Sequence, residues 1–95
     1  MAAYVILNIN VTDMKRYEDY KGMASASIAK HGGKYLVRGG KHEPLEGRWD
    51  LDRVVVLEFD TLAKAREWWS SSDYSQAKDV RRSAAKVTAV LVEGM

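Results

Sequence analysis

Ninety-five residues with 15 Lys+Arg against 13 Asp+Glu, a formal net charge of +2 and no cysteine bound what this chain can be. One domain spanning 1–95 is the natural reading at this length, and the missing cysteines exclude disulfides, thiolate nucleophiles and cysteine metal sites together. No run of like charge is longer than a pair such as Arg81-Arg82, so the concentrated basic face that nucleic-acid binders carry is absent and no nucleic-acid partner is expected.

The elements follow in chain order. Tyr4 to Val11 alternates, Val5, Leu7, Ile9 and Val11 on one face and Tyr4, Ile6, Asn8 and Asn10 on the other, which is the period of a strand. Because both faces are partly apolar, helices are expected on one and a second subunit on the other. Thr12 or Asp13 caps a helix in which Tyr17, Tyr20, Ala24, Ile28 and His31 recur at helical spacing, and Gly32-Gly33 stops it. Tyr35 to Arg38 forms a short strand, ended by Gly39-Gly40 and a turn-rich loop carrying His42, Pro44, Gly47 and Trp49. Arg53 to Phe59, with four consecutive β-prone residues from Val54 to Leu57, belongs at the sheet centre.

Asp60 or Thr61 caps a second helix with Leu62, Ala65 and Trp69 as its inner stripe and Trp68 at the border. Ser70-Ser71-Ser72 interrupts it, Asp73 with Gln76 reads as a capping box for the restart, and Tyr74, Ala77, Arg81, Ala84 and Ala85 share one face. Val87 to Glu93 is the last strand. The order β-α-β-β-α-β, its second helix in two pieces, is the ferredoxin-like α+β motif with an antiparallel four-stranded sheet. Helices on one face only leave the other apolar, so a back-to-back homodimer is expected.

The residues that carry a resemblance are spread along nearly the whole chain. They are Ala3-Tyr4-Val5-Ile6, the run Ile28-Ala29-Lys30-His31-Gly32-Gly33-Lys34-Tyr35-Leu36-Val37-Arg38-Gly39-Gly40, and Leu45-Glu46-Gly47 followed by Trp49. Arg53 to Phe59, Trp68 with Tyr74, and Arg81 complete the set. Together they resemble the family catalogued as domain of unknown function 1330, within the dimeric α/β-barrel superfamily. The resemblance implies a dimer whose sheets face each other and a small-molecule cleft between each sheet and its helices. It implies no settled activity, since that superfamily holds cofactor-free monooxygenases, isomerases and haem proteins.

Arg81 stands among alanines at helical spacing. Either its stem packs while its head pairs with a sheet carboxylate such as Glu58, or it anchors a ligand carboxylate through its forked guanidinium. Arg38, before Gly39-Gly40, offers a second positive charge or is a solvated arginine at a strand end. Trp68 and Tyr74 are the expected walls of the cleft, Trp68 as wall or subunit contact. His31 is the one candidate for a general base at neutral pH; the alternative is a histidine closing its helix. The serines lack a nucleophile-elbow pattern, and the glycine pairs lack phosphate-loop spacing. Two histidines without ligand-like spacing lead to no expected metal, and no cofactor is expected. The N-terminal residues run from Met1 into a strand without a basic leader, and no apolar run nears the ~18 residues of a membrane span, so a cytoplasmic protein without a membrane partner is expected. Three functional readings remain: a dimer binding a small carboxylate or aromatic ligand, a cofactor-independent enzyme of monooxygenase or isomerase type, and a structural or partner-binding dimer.

Overall fold

Alternation along β1 (Ala3–Val11) divides the molecule: Ala3, Val5, Leu7 and Ile9 are buried, while Tyr4, Ile6, Asn8 and Asn10 are half-buried on the reverse face. The computed structural model describes residues 1–50 and 52–95. After β1 come α1 (Met14–Lys30), β2 (Lys34–Arg38), β3 (Arg53–Phe59), α2 (Leu62–Ser70), α3 (Ser72–Arg82) and β4 (Ala85–Glu93). The strands pair antiparallel in the order β2-β3-β1-β4, which is the expected α+β, ferredoxin-like arrangement with the second helix divided.

Local chemistry sets the helix starts. Asp13 caps α1, its Oδ1 accepting from the Arg16 amide at 3.1 Å, and Thr61 caps α2 by accepting from the Lys64 amide at 3.1 Å. Gly33 follows α1 where a side chain has no room: a Cβ there would lie 2.7 Å from Phe59 Cζ and 2.9 Å from Ile28 Cγ2. The break between α2 and α3 falls on Ser71, not on an Asp73–Gln76 capping box. Its Oγ accepts from the Tyr74 amide at 3.2 Å and donates to the Trp68 carbonyl at 2.7 Å, so one hydroxyl closes one helix and opens the next. Helix α3 ends at Arg82, and Ala85 already belongs to β4 rather than to the face shared by Tyr74 and Ala77.

All three helices cover the face built from Val5, Leu7, Ile9, Val55, Leu57 and Phe59. The helical stripe of α2 is the reverse of the expected one: Trp68 is wholly enclosed and Trp69 sits at the border. Positions 68 and 69 lie three and four residues beyond Ala65, and either spacing fits a helical stripe, so periodicity alone cannot choose. Packing does: Trp68 lies between Phe59 (ring centroids 5.3 Å apart) and Tyr74 (4.1 Å), and its Nε1 donates to Ser27 Oγ at 3.0 Å.

The opposite face carries no helix. Tyr4 and Ile6 of β1, Val54 and Val56 of β3, and Val90 and Val92 of β4 share it by register, with Val90 and Val92 55% and 45% exposed. Asn8 stands among them, its Oδ1 buried with no partner among the described residues.

Candidate functional site

An irregularity in β2 gives the site its shape. Tyr35 pairs with Leu57 and Val37 with Val56, so β2 advances two residues where β3 advances one. This bulge at Leu36 puts Arg38 opposite Val55, on the helix-covered face that Tyr35 also occupies, although side chains three residues apart on a regular strand face opposite ways. Arg53, paired with Ile9 at the start of β3, points to the same side. Beneath α1 these residues surround a hollow of about 20 Å³, floored by Leu7, Ile9, Leu57 and Trp68 and walled by Tyr17, Tyr20 and Ala24. Its volume suits a single water.

Three cations stand around the hollow: Lys21, Arg38 and Arg53. Lys21 is paired with Glu18 at 2.9 Å, one turn back on α1. Neither arginine has a carboxylate within ion-pairing distance among the described residues. Arg38 donates to Ser25 Oγ at 3.0 Å and lies 4.5 Å above the Tyr35 ring, whose hydroxyl is 3.0 Å from the same Ser25 oxygen. The Arg53 guanidinium is 5.7 Å from the Tyr17 ring centre, and its Nε is buried with no acceptor among the described residues. It rests against Gly39, whose φ of +72° and missing Cβ leave room for that approach.

The phenols of this region hold their protons. Burial pushes the Tyr17 hydroxyl above the ordinary tyrosine range, with the charge of Arg53 pulling it partly back. Tyr20 is raised further by deeper burial and by Tyr74, whose hydroxyl is 2.8 Å from its own. Tyr74 is raised by burial and drawn back by Arg81. These groups therefore act as neutral hydrogen-bonding partners near neutral pH, not as bases.

Among the residues singled out from sequence, Arg38 and Trp68 lie on the hollow, Arg38 at its opening and Trp68 in its floor. Tyr74 is wholly buried one hydrogen bond behind Tyr20. Arg81 stands behind Tyr74, donating to its hydroxyl at 2.9 Å and lying 5.6 Å over the Trp69 ring. Arg81 does not pair with Glu58: by register Glu58 shares the helix-free face with Tyr4, so the sheet separates the two charges. His31 closes α1 through its backbone amide, 3.1 Å from the Ser27 carbonyl, and is not part of the hollow. Arg53, Tyr17, Lys21 and Ser25 were missed; an arginine opening the β-prone run after a glycine-rich loop, and a Tyr-Lys pair at a spacing of four, were the signals available.

A wider recess of about 470 Å³ separates α2 from β4, its walls apolar apart from Arg66 and Ser70. No group of three or more potential metal ligands occurs among the described residues, and no helix among them is long and apolar enough to cross a membrane.

Solved structures with this backbone are numerous. A protein of unknown function from Rhodopseudomonas palustris is similar at a TM-score of 0.81 and 17% identity, covering 99% of this chain and 82% of that one. A dimeric ferredoxin-like protein of unknown function from Jannaschia sp. CCS1 follows at 0.73 and 10%, covering 99% and 100%. SnoaB, a cofactor-independent oxygenase from Streptomyces nogalater, is similar at 0.68 and 12%, covering 99% and 93%. At such identities the likeness concerns the fold alone. No curated protein matches the sequence. Over residues 2–95, however, the sequence fits one described family, and the chain belongs to it: the domain of unknown function 1330 family.

Proposed function

We propose that this protein binds a small organic anion at the opening of the hollow beneath α1 and works as a homodimer joined through the helix-free sheet face. One observation carries the binding reading: Arg38 and Arg53 line a shared hollow with no carboxylate among the described residues within ion-pairing distance of either, beside hydroxyls of Tyr17, Tyr35 and Ser25. Arg53, held partly out of water without a counter-ion, and the exposed Arg38 beside it favour an incoming anion, and two guanidiniums suit the two oxygens of a carboxylate.

The dimer reading is supported by the apolar row from Ile6 through Val56 to Val90, which a lone subunit leaves in water, and by the dimeric description of a similar fold. Light scattering at micromolar concentration is expected to give about twice the chain mass of 10.7 kDa, and a stable monomer would refute it.

Calorimetric titration with sodium acetate and sodium benzoate tests the site. Replacing Arg53 by Gln is expected to weaken carboxylate binding about tenfold or more, since charge-assisted hydrogen bonds contribute ~1.5–3 kcal/mol. Equal affinities in wild type and Arg53→Gln remove this site from consideration.

A further inference from the structure

We propose that the recess between α2 and β4 is a second ligand site and that it takes a medium-chain alkyl carboxylate. It shares no lining residue with the hollow beneath α1, so the two sites stand or fall separately. Volume and surface set the body of the ligand. Val5 and Ala65, both buried, form the floor of the recess, and Trp69, Ala89 and Leu91 form its walls. At the ~30 Å³ that a water takes up in the liquid, its volume of about 470 Å³ has room for roughly fifteen non-hydrogen atoms. Apolar walls of this extent are costly to leave in water, and an unbranched chain of about eight carbons covers them without needing a hydrogen bond.

Charge sets the head group. Arg66 is the one charged side chain in the lining, and no carboxylate among the described residues lies within ion-pairing distance of it. Trp69 gathers two more cations at its wall: the Lys78 Nζ lies 4.5 Å and the Arg81 guanidinium 5.6 Å from its ring. Neither of these has a carboxylate partner among the described residues, and Glu67, the one acidic residue of α2, is outside the lining. The helix side of the recess is therefore positive and favours an anion over a cation or a neutral group. The strand side adds backbone donors. Gly94 donates to the Ala2 carbonyl at 2.7 Å and Thr12 to the Ala84 carbonyl at 2.8 Å, so the even-numbered residues of β4 turn their backbone groups toward β1. Ala89 and Leu91 turn theirs to the open edge, since β4 is the outermost strand. Val90 belongs by register to the helix-free face and still lines the recess, so the recess reaches that edge, where free amides suit carboxylate oxygens.

Calorimetric titration of wild type, Arg66→Gln, Ala89→Phe and Arg53→Gln with octanoate, butanoate and octylammonium tests this, with light scattering on each variant. Wild type is expected to bind octanoate at least about tenfold more tightly than butanoate, because four further methylenes leave water, and about fivefold more tightly than octylammonium. Arg66→Gln is expected to weaken octanoate about fivefold, the range of a partly exposed ion pair. Ala89 is exposed, so Ala89→Phe is expected to fold normally while narrowing the recess, and to weaken octanoate about tenfold or more. Arg53→Gln, on the hollow, is expected to leave octanoate affinity unchanged. Octanoate that fails to bind wild type, that binds no more tightly than butanoate or octylammonium, or that is undiminished in either Arg66→Gln or Ala89→Phe overturns the proposal. Loss of octanoate in Arg53→Gln assigns it to the hollow and overturns the second site while the anion site beneath α1 stands. A fall in molecular mass in Ala89→Phe with octanoate affinity unchanged makes the recess a subunit contact and likewise overturns it.

Discussion

Ser27→Ala isolates a single polar contact, the indole–hydroxyl hydrogen bond deep in the core. Trp68 is 0% exposed and Ser27 2%, and the indole N–H donates to the serine oxygen at 3.0 Å while that hydroxyl donates to the Ala24 carbonyl at 2.8 Å. Alanine removes the acceptor and leaves a donor sealed from water, a loss of ~1–3 kcal/mol. Better helix propensity returns up to about 0.7 kcal/mol, so a net loss near 1–2 kcal/mol is expected. For a domain of this size each kcal/mol lowers Tm by ~4–8 °C, giving a fall of roughly 4–16 °C. Thermal and urea melts at one fixed protein concentration measure it, since association makes Tm depend on concentration. The decisive comparison is a double-mutant cycle with Trp68→Phe, which removes the donor. In that background Ser27→Ala is expected to cost almost nothing, leaving a coupling of about 1–2 kcal/mol. A Ser27→Ala protein as stable as wild type, or equal losses in both backgrounds, refutes the assignment.

Other expectations follow from the same geometry. Gly39→Ala places a methyl group where the Arg53 guanidinium lies and strains a φ of +72°, so carboxylate affinity is expected to fall even though no charge is removed; unchanged calorimetric affinity would contradict the contact. Val56→Glu sets a charge in the middle of the helix-free face and is expected to yield folded monomer by light scattering and circular dichroism. Three of the five tyrosines, Tyr17, Tyr20 and Tyr74, keep their protons above the ordinary value of 10.0 because burial disfavours the phenolate. The unfolded chain releases those protons near pH 10, so their contribution is whole below that pH and declines as pH rises toward the folded values, by up to about 1.4 kcal/mol per unit per tyrosine. Tyrosinate absorbance from these three is expected only as the helical signal disappears; all five titrating with the helices intact would contradict it. His31→Gln is expected to leave carboxylate affinity unaltered in a calorimetric titration with acetate, since His31 closes α1 through its backbone amide and does not line the hollow.

What could be read from sequence was what short-range chemistry decides. Asp13, Thr61 and the Gly32-Gly33 stop act within a turn of their own position, and the strand of alternating residues from Tyr4 onward carries its two faces in its own period. The errors arose where the answer lay elsewhere in the chain. Trp68 and Trp69 are interchangeable until Phe59 and Tyr74 are known to flank one of them. Glu58 seemed available to Arg81 because the face of a strand residue is fixed by its partners, here Tyr4, and not by its composition. The proposed site was only half legible for the same reason: Arg38 stands out beside its glycines, but Arg53 joins it on one hollow only once β2 and β3 are paired.

The extra residue at Leu36 makes β2 a strand of mixed parity. Up to Tyr35 its side chains follow the regular two-residue beat, and beyond the bulge that beat is inverted. Both sides of the sheet depend on this single count. Were β2 to pair regularly beyond Tyr35 with Leu36 retained, Leu36 would meet Val56, Val37 would meet Val55, and Arg38 would meet Val54 among the valines of the helix-free face. The proposed anion site would lose one of its two arginines while the proposed dimer face gained a charge, so a one-residue slip in an edge strand would strike both at once. Insertions and deletions from Lys41 to Asp50 leave this pairing untouched, whereas within β2 the pairing register decides which face Arg38 takes.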